Sequence, residues 1–201
     1  MVYGKKRNFI LKKVKTIFEM KKILITGGTG LLGKELVKGF LDKKCIVYFT
    51  STSKQNSEKF LKSIKLKYKK YCVPIIQKFN NYDDINQFIS KYKKVKFDTL
   101  INNARNISNL NLNVTKYEHY NSFNNEIFLA VHLPYFLSIN LNDKFLNNIV
   151  NITSMYGVVP PNKNLYTDKY KSSPIYYGVS KAAEIHLSKE LAVRLADKKI
   201  R

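Results

Sequence analysis

The chain has 201 residues, 44 % of them hydrophobic and 25 % charged, proportions of a globular protein that exclude a disordered or collagen-like chain. Its formal net charge is +22, from 36 basic and 14 acidic residues, yet only Arg7, Arg105, Arg194 and Arg201 are arginines. Nucleic-acid binders recruit arginine for bidentate contacts, so the excess reads as a lysine-solvated surface that draws anions without specificity, and no specific nucleic-acid partner is expected.

Residues 1–19 form a basic extension in which Phe9, Ile10, Val14, Ile17 and Phe18 share a helical face opposite Lys12, Lys13 and Lys15. A membrane-surface helix has this pattern, but an extension without function is the simpler reading. A secretory signal would need a longer uncharged core and a cleavage site. Residues 20–201 are expected to form one domain. No apolar run reaches the roughly 20 residues of a membrane span; the longest, Ile127 to Leu141, is broken by His132, Pro134 and Asn140. Cys45 and Cys72 make neither a CxxC pair nor a disulfide framework, so a reducing, cytoplasmic setting is expected.

From Lys22 onward short apolar runs alternate with amphipathic stretches. Strands are expected at 23–26, 45–50, 73–79, 97–101 and 148–153. Helices are expected at 31–41, 58–68, 82–92, 123–141 and 175–197. Asp83 and Asp84 fall in the first turn of the third helix, where the dipole favours negative charge. The alternation predicts an α/β fold: a doubly wound parallel sheet of Rossmann type, with helices on both faces. The long helices offer faces through which copies of the chain could pair.

Thr26-Gly27-Gly28-Thr29-Gly30-Leu31-Leu32-Gly33 leaves the first strand and opens the first helix. Gly27 permits the tight turn, Gly30 lets the backbone approach a pyrophosphate at the helix start, and Gly33 lets helix and strand pack closely. A dinucleotide is therefore the expected ligand of Thr26, Gly27, Thr29, Gly30, Leu31 and Leu32. An acidic residue closing the second strand would select NAD through the ribose hydroxyls. Thr50-Ser51-Thr52-Ser53-Lys54 contains none. Ser51, Ser53 and Lys54 instead suit a 2′-phosphate, so NADP(H) is expected over NAD(H).

Tyr177 and Lys181 lie four apart, hence on one helix face. A tyrosine is a poor acid or base at neutral pH, and a neighbouring ammonium stabilises its phenolate. Tyr177 could thus give a proton to a carbonyl oxygen as hydride arrives, or take one in reverse. Ser154, after the fifth strand, could hold the same oxygen. Tyr176 has no lysine four residues on. His119, His132 and His186 have no metal-ligand spacing with one another or with the cysteines, so no metal site is expected.

The glycine loop, Asn102-Asn103-Ala104 after the fourth strand, Ser154, and Tyr177-Gly178-Val179-Ser180-Lys181 together resemble the short-chain dehydrogenase/reductase family over residues 20–201. The resemblance implies Ser154, Tyr177 and Lys181 as the catalytic set. It adds Asn103 and Ala104 to the cofactor-binding residues and places Tyr177 and Lys181 near the nicotinamide ribose. The implied activity is hydride transfer between a nicotinamide cofactor and a carbonyl or alcohol. The substrate is a small molecule, with a sugar or sugar nucleotide suggested by Tyr156-Gly157-Val158-Val159-Pro160 and the insert Pro160 to Ser173, which resemble oxidoreductases of surface-sugar pathways.

The sequence departs from the family pattern in several places. The spacing of Gly27, Gly30 and Gly33 resembles the branch of nucleotide-sugar epimerases and dehydratases, the alternative activity. Arg105 stands where glycine is usual, and His132 lies near the place of a helix asparagine. The resemblance also implies further strands and a substrate-covering segment after the helix of Tyr177. Lys198-Lys199-Ile200-Arg201 reads as the first step of a next strand, so a chain incomplete at that end, weakly active or retaining only cofactor binding, is the expectation.

Overall fold

The computed structural model describes residues 20–106, 116–141, 144–166 and 173–201. The basic extension 1–19 and residues 167–172 of the insert Pro160 to Ser173 lie outside the described residues. Five strands, β1 (Lys22–Ile25), β2 (Ile46–Ser51), β3 (Cys72–Ile76), β4 (Thr99–Asn102) and β5 (Asn148–Asn151), form one parallel sheet in the order β3-β2-β1-β4-β5. Every pairing is parallel, with Ile23 opposite Val47 on one side and Thr99 on the other. The order reverses direction at β1, so the crevice beyond the carboxyl ends of β1 and β4 is the switch point where ligands of such sheets bind.

The period of two along β1 divides the core. Ile23 and Ile25 pack on one face with Val37, Leu41 and Phe60, residues of α1 (Leu31–Asp42) and α2 (Lys54–Ser63). Leu24 faces the other side, where Ile85, Phe88, Leu133, Leu137 and Leu191 gather. These come from α3 (Tyr82–Tyr92), α5 (Leu133–Asn140) and α6 (Ile175–Arg194). The doubly wound α/β architecture follows from this alternation.

Two helices differ most from the periodicity. The basic helix expected at 58–68 begins at Lys54, because the Ser53 side chain accepts a hydrogen bond from Asn56 N and caps the first turn. It stops at Ser63, where Ile64 is extended, and a 3-10 segment, Leu66–Tyr71, leads into β3. The helix expected over 123–141 is three pieces: α4 (Lys116–Ile127), a π-turn (Phe128–His132) and α5. Pro134 offers no N–H and its ring would press on a carbonyl four residues back. The widened turn accommodates it, and Pro134 falls in the first turn of α5. Pro74 is tolerated in β3 because this strand lies at the sheet edge.

At the other edge, Arg201 N donates to Asn147 O at 2.9 Å and Ile149 N donates to Arg201 O at 2.8 Å. The last described residue is thus main-chain paired alongside β5. The final helix ends at Arg194, three residues before the expected 197, and a 3-10 turn, Ala196–Lys198, delivers the chain to this edge.

Candidate active site

The loop after β1 is built from main-chain contacts. Gly27 N donates to Thr50 Oγ1 and Gly28 N to Thr50 O, both at 2.9 Å, tying the loop to β2. Thr26 is fully buried, and its Oγ1 accepts the N–H groups of Asn103 and Ala104 at 2.9 Å each. Asn103 Nδ2 returns to the carbonyls of Thr26 and Gly27. Thr26, Asn103 and Ala104 therefore clamp the ends of β1 and β4 together beneath the crevice. Gly27 takes φ +69°, and a Cβ on Gly33 would stand 2.2 Å from Gly27 O, so the helix can meet the loop only through glycine.

The start of α1 is open. Gly30 is its N-cap, no side chain caps it, and its first turn has no acidic residue. Leu31 is 85 % exposed. The first-turn N–H groups and the positive dipole end thus lie at an exposed surface, which fits the diphosphate of a dinucleotide. At the end of β2, Ser51 is buried. Its hydroxyl lies 3.1 Å from Thr29 Oγ1 and donates to Ser53 O at 2.9 Å. Ser51 and Ser53 hold the loop, whereas Lys54 is exposed, with its ammonium 4.0 Å from Glu58.

Ser154 follows β5 and caps the 3-10 turn Met155–Gly157, its hydroxyl accepting from Tyr156 N at 3.2 Å. This turn packs on the first turns of α6: a Cβ on Gly157 would lie 2.7 Å from the Lys181 carbonyl carbon, and one on Gly178 2.9 Å from Tyr156 O. Lys181 is buried and donates to Ile152 O at 2.8 Å and to Glu184 Oε2 at 2.6 Å. The Tyr177 ring meets Tyr156 edge-on, centroids 6.4 Å apart, and Arg105 Cζ lies 3.6 Å from its centroid. Ser154, Tyr177 and Lys181 thus gather at the carboxyl end of β5, beside the β4 loop that contacts the glycine turn. No hydrogen bond joins Ser154 to Tyr177 among the described residues. Tyr156 and Tyr166 share a hydroxyl contact at 2.5 Å, which together with burial pushes the Tyr156 phenol up.

Two carboxylates escaped the sequence reading. Glu184 and Glu126 are both buried. Glu126 Oε2 lies 3.6 Å from Arg105 Nε, and Glu184 bridges Lys181. Burial pushes the Glu184 carboxyl up, Lys181 pulls it back, and Glu126 and Arg105 act on it from farther away. Two cations and two anions therefore form one cluster under Tyr177. The spacing Lys181-x-x-Glu184 was a usable signal for half of it; Glu126 joins only through the tertiary fold.

The sequence model of the short chain dehydrogenase family matches residues 21–201. The chain belongs to that family. It is an NAD(P)-dependent oxidoreductase by that membership. Post-translational flagellin modification protein A of Campylobacter coli is 24 % identical over 197 residues, covering 92 % of this chain and 75 % of that protein. The structure of a short chain dehydrogenase from Leptospira borgpetersenii with bound NAD+ is 26 % identical, with a TM-score of 0.70 over 90 % of this chain and 68 % of the other. L-sorbose reductase from Gluconobacter frateurii, complexed with NADPH and L-sorbose, is 21 % identical, with a TM-score of 0.71 over 90 % and 66 %.

Other candidates in this short-chain dehydrogenase stand apart from the crevice. Tyr176 is buried edge-on to Phe123, and burial pushes its phenol up. His132 is exposed and lies edge-on to Phe128. His186 pairs with Glu190 on the outer face of α6; the His119 side chain lies outside the described residues. Asp84 receives the Asn80 N–H at 2.7 Å, a helix-start contact. Among the described residues no group of three or more His, Cys, Asp or Glu side chains could hold a metal ion, and no helix is long and apolar enough to cross a membrane.

Proposed function

We propose that this chain transfers hydride between NADP(H) and the carbonyl or alcohol of a small polar molecule, a sugar or sugar nucleotide, using Ser154, Tyr177 and Lys181. When bound, the nicotinamide supplies or accepts the hydride. In the reducing direction Tyr177 gives its phenolic proton to the carbonyl oxygen and later recovers one from water. Ser154 orients that oxygen, and Lys181, anchored on Ile152 O, reaches the cofactor ribose. The open start of α1 takes the diphosphate, and Lys54 takes the 2′-phosphate.

The observation that carries this reading is the convergence of Tyr177, Lys181 and Ser154 beyond the carboxyl end of β5, with the glycine turn at the carboxyl end of β1 across the intervening β4. The sugar class is supported by the likeness to L-sorbose reductase, whose structure holds L-sorbose. The test is purified protein with NADPH and a panel of keto sugars, free and nucleotide-linked, followed by cofactor absorbance. Loss of NADPH matched mole for mole by alcohol is expected; no turnover across the panel with either cofactor overturns the reading. The spacing of Gly27, Gly30 and Gly33 favours a second reading, nucleotide-sugar epimerisation or dehydration. That reading predicts product without net cofactor consumption.

A further inference from the structure

Tyr177 makes no hydrogen bond to the cation that its sequence spacing selects. The Lys181 ammonium has three donors, and two are committed to Ile152 O and the buried carboxylate of Glu184. Among the described residues, neither Lys181 nor any other group hydrogen-bonds the Tyr177 hydroxyl. The cation on Tyr177 is Arg105, which arrives from another element, the loop after β4.

Its guanidinium carbon stands 3.6 Å from the ring centroid, a face-on contact. Glu126 braces the guanidinium from α4 at 3.6 Å, within charge reach but beyond hydrogen-bond distance. Arg105 Nε and Nη2 are buried and make no hydrogen bond. Buried N–H groups left in that state are costly, and the charge on this half-buried guanidinium is balanced by Glu126 and by the π face of Tyr177. That attraction increases as the ring gains negative charge, because a cation interacts with the ring electrostatically.

Resting on the function proposed above, we infer that Arg105 is the positioning residue of Tyr177. It holds the ring at the crevice and stabilises the phenolate left when the phenolic proton passes to the substrate oxygen. Arg105 exchanges no proton itself. Glu126 fixes Arg105, and Glu184 together with Ile152 O holds the Lys181 ammonium at the end of β5. Arg105 thereby adds a second cation at Tyr177, on the ring face and from another element, beside the lysine of its own helix.

The test compares Arg105→Met and Arg105→Lys with wild type in the full chain. Arg105→Met should lower kcat by about tenfold, the scale of a desolvated cation–π contact, with the cofactor dissociation constant changed less than about threefold. Arg105→Lys should recover part of the loss, since it restores charge without the planar stack. Adding Arg105→Met to Tyr177→Phe should cost nothing further in residual rate. An unchanged kcat, or equal losses in kcat and cofactor binding, overturns the inference. A readout independent of turnover uses tyrosine ring-13C NMR, the Tyr177 signal being identified by its loss in Tyr177→Phe. Arg105→Met should shift that signal, and an unmoved signal refutes the contact even if the chain reduces no substrate. A shifted signal in a chain without turnover would instead leave the Arg105 contact standing and remove the function it was assigned to serve.

Discussion

Lys181 Nζ lies 2.6 Å from Glu184 Oε2, one turn away on the same helix, with both side chains buried. Removing one partner of such a pair strands the other charge in the interior, typically at a cost of about 3–5 kcal/mol. Glu184→Gln should therefore lower the urea midpoint, while Lys181→Met combined with Glu184→Leu should be less destabilised than Glu184→Gln. The direction of the Glu184 shift adds a pH signature. A carboxyl pushed up by burial keeps a proton that the unfolded chain has already lost. Its contribution is present at low pH and declines as pH rises from the unfolded value through the folded one. Glu184→Gln should flatten that decline, and an identical pH slope in both proteins would contradict the assignment.

Tyr177→Phe should abolish turnover and leave cofactor binding nearly intact, because the ring stays stacked on Arg105 while the proton is gone. Lys181→Ala should weaken both, since Lys181 anchors the region through Ile152 O. Steady-state rates with fluorescence titration of NADPH would separate the two. More than about a tenth of wild-type activity in Tyr177→Phe would be too much for a residue credited with general acid catalysis of about 100-fold or more.

Glycines in α1 should respond in opposite directions. A Cβ on Gly33 would lie 2.2 Å from Gly27 O and 2.9 Å from Gly28 Cα, so Gly33→Ala must move the backbone of the glycine turn. It should reduce both stability and cofactor binding. Gly39 has nothing within 4 Å of its added Cβ and is exposed on the same helix. Gly39→Ala should stabilise by roughly 0.5–1 kcal/mol through helix propensity alone. Thermal melts of the two variants check both signs.

Much of the sheet was legible because its signals are local. Ile23, Leu24 and Ile25 form an apolar run, Gly27 and Gly33 punctuate it, and Asp83 and Asp84 mark a helix start, so period and punctuation name the elements. The interrupted helix at Phe128–His132 was less legible, because Pro134 can bend a helix or be absorbed by it, and packing on α6 decides which. Tyr177 and Lys181 were legible as a pair at helical spacing. Their actual partners were not: Arg105 reaches Tyr177 from 72 positions away in sequence (177 − 105) and Glu126 joins from a third element. Spacing reports neighbours on one helix, and only the fold reports neighbours across helices.

Cofactor preference is tested at Lys54 rather than at Ser51. Ser51 is buried and bonded to Thr29 and Ser53, so an acid placed there would bury a charge and confuse affinity with folding. Lys54 is exposed, and its exchange disturbs only a 4.0 Å surface pair with Glu58. Lys54→Glu should weaken NADP+ by about tenfold or more while changing NAD+ little, since a 2′-phosphate then meets a like charge. Calorimetry with both oxidised cofactors measures it. Equal affinities in the wild type, or equal losses in the variant, would remove Lys54 from the site.

The two cysteines give a final check on the core. Cys45 and Cys72 are free and buried, Cys72 beside Val47 in the β2–β3 pairing. Burial pushes both thiols up, Cys72 to about 11. The thiolate is the reactive form, so an aromatic disulfide reagent at pH 8 should label neither in the native chain and both after denaturation. The same shift has a definite sign for stability. From its ordinary value of 9.0 to about 11, the folded Cys72 holds a proton that the unfolded chain releases. Unfolding therefore becomes easier across that interval. Lysines and tyrosines titrate there too, so the Cys72 share is the difference between wild type and Cys72→Ala. That difference should narrow as pH rises from 9 to 11, and rapid labelling of the native chain at pH 8 would place Cys72 outside the packed sheet.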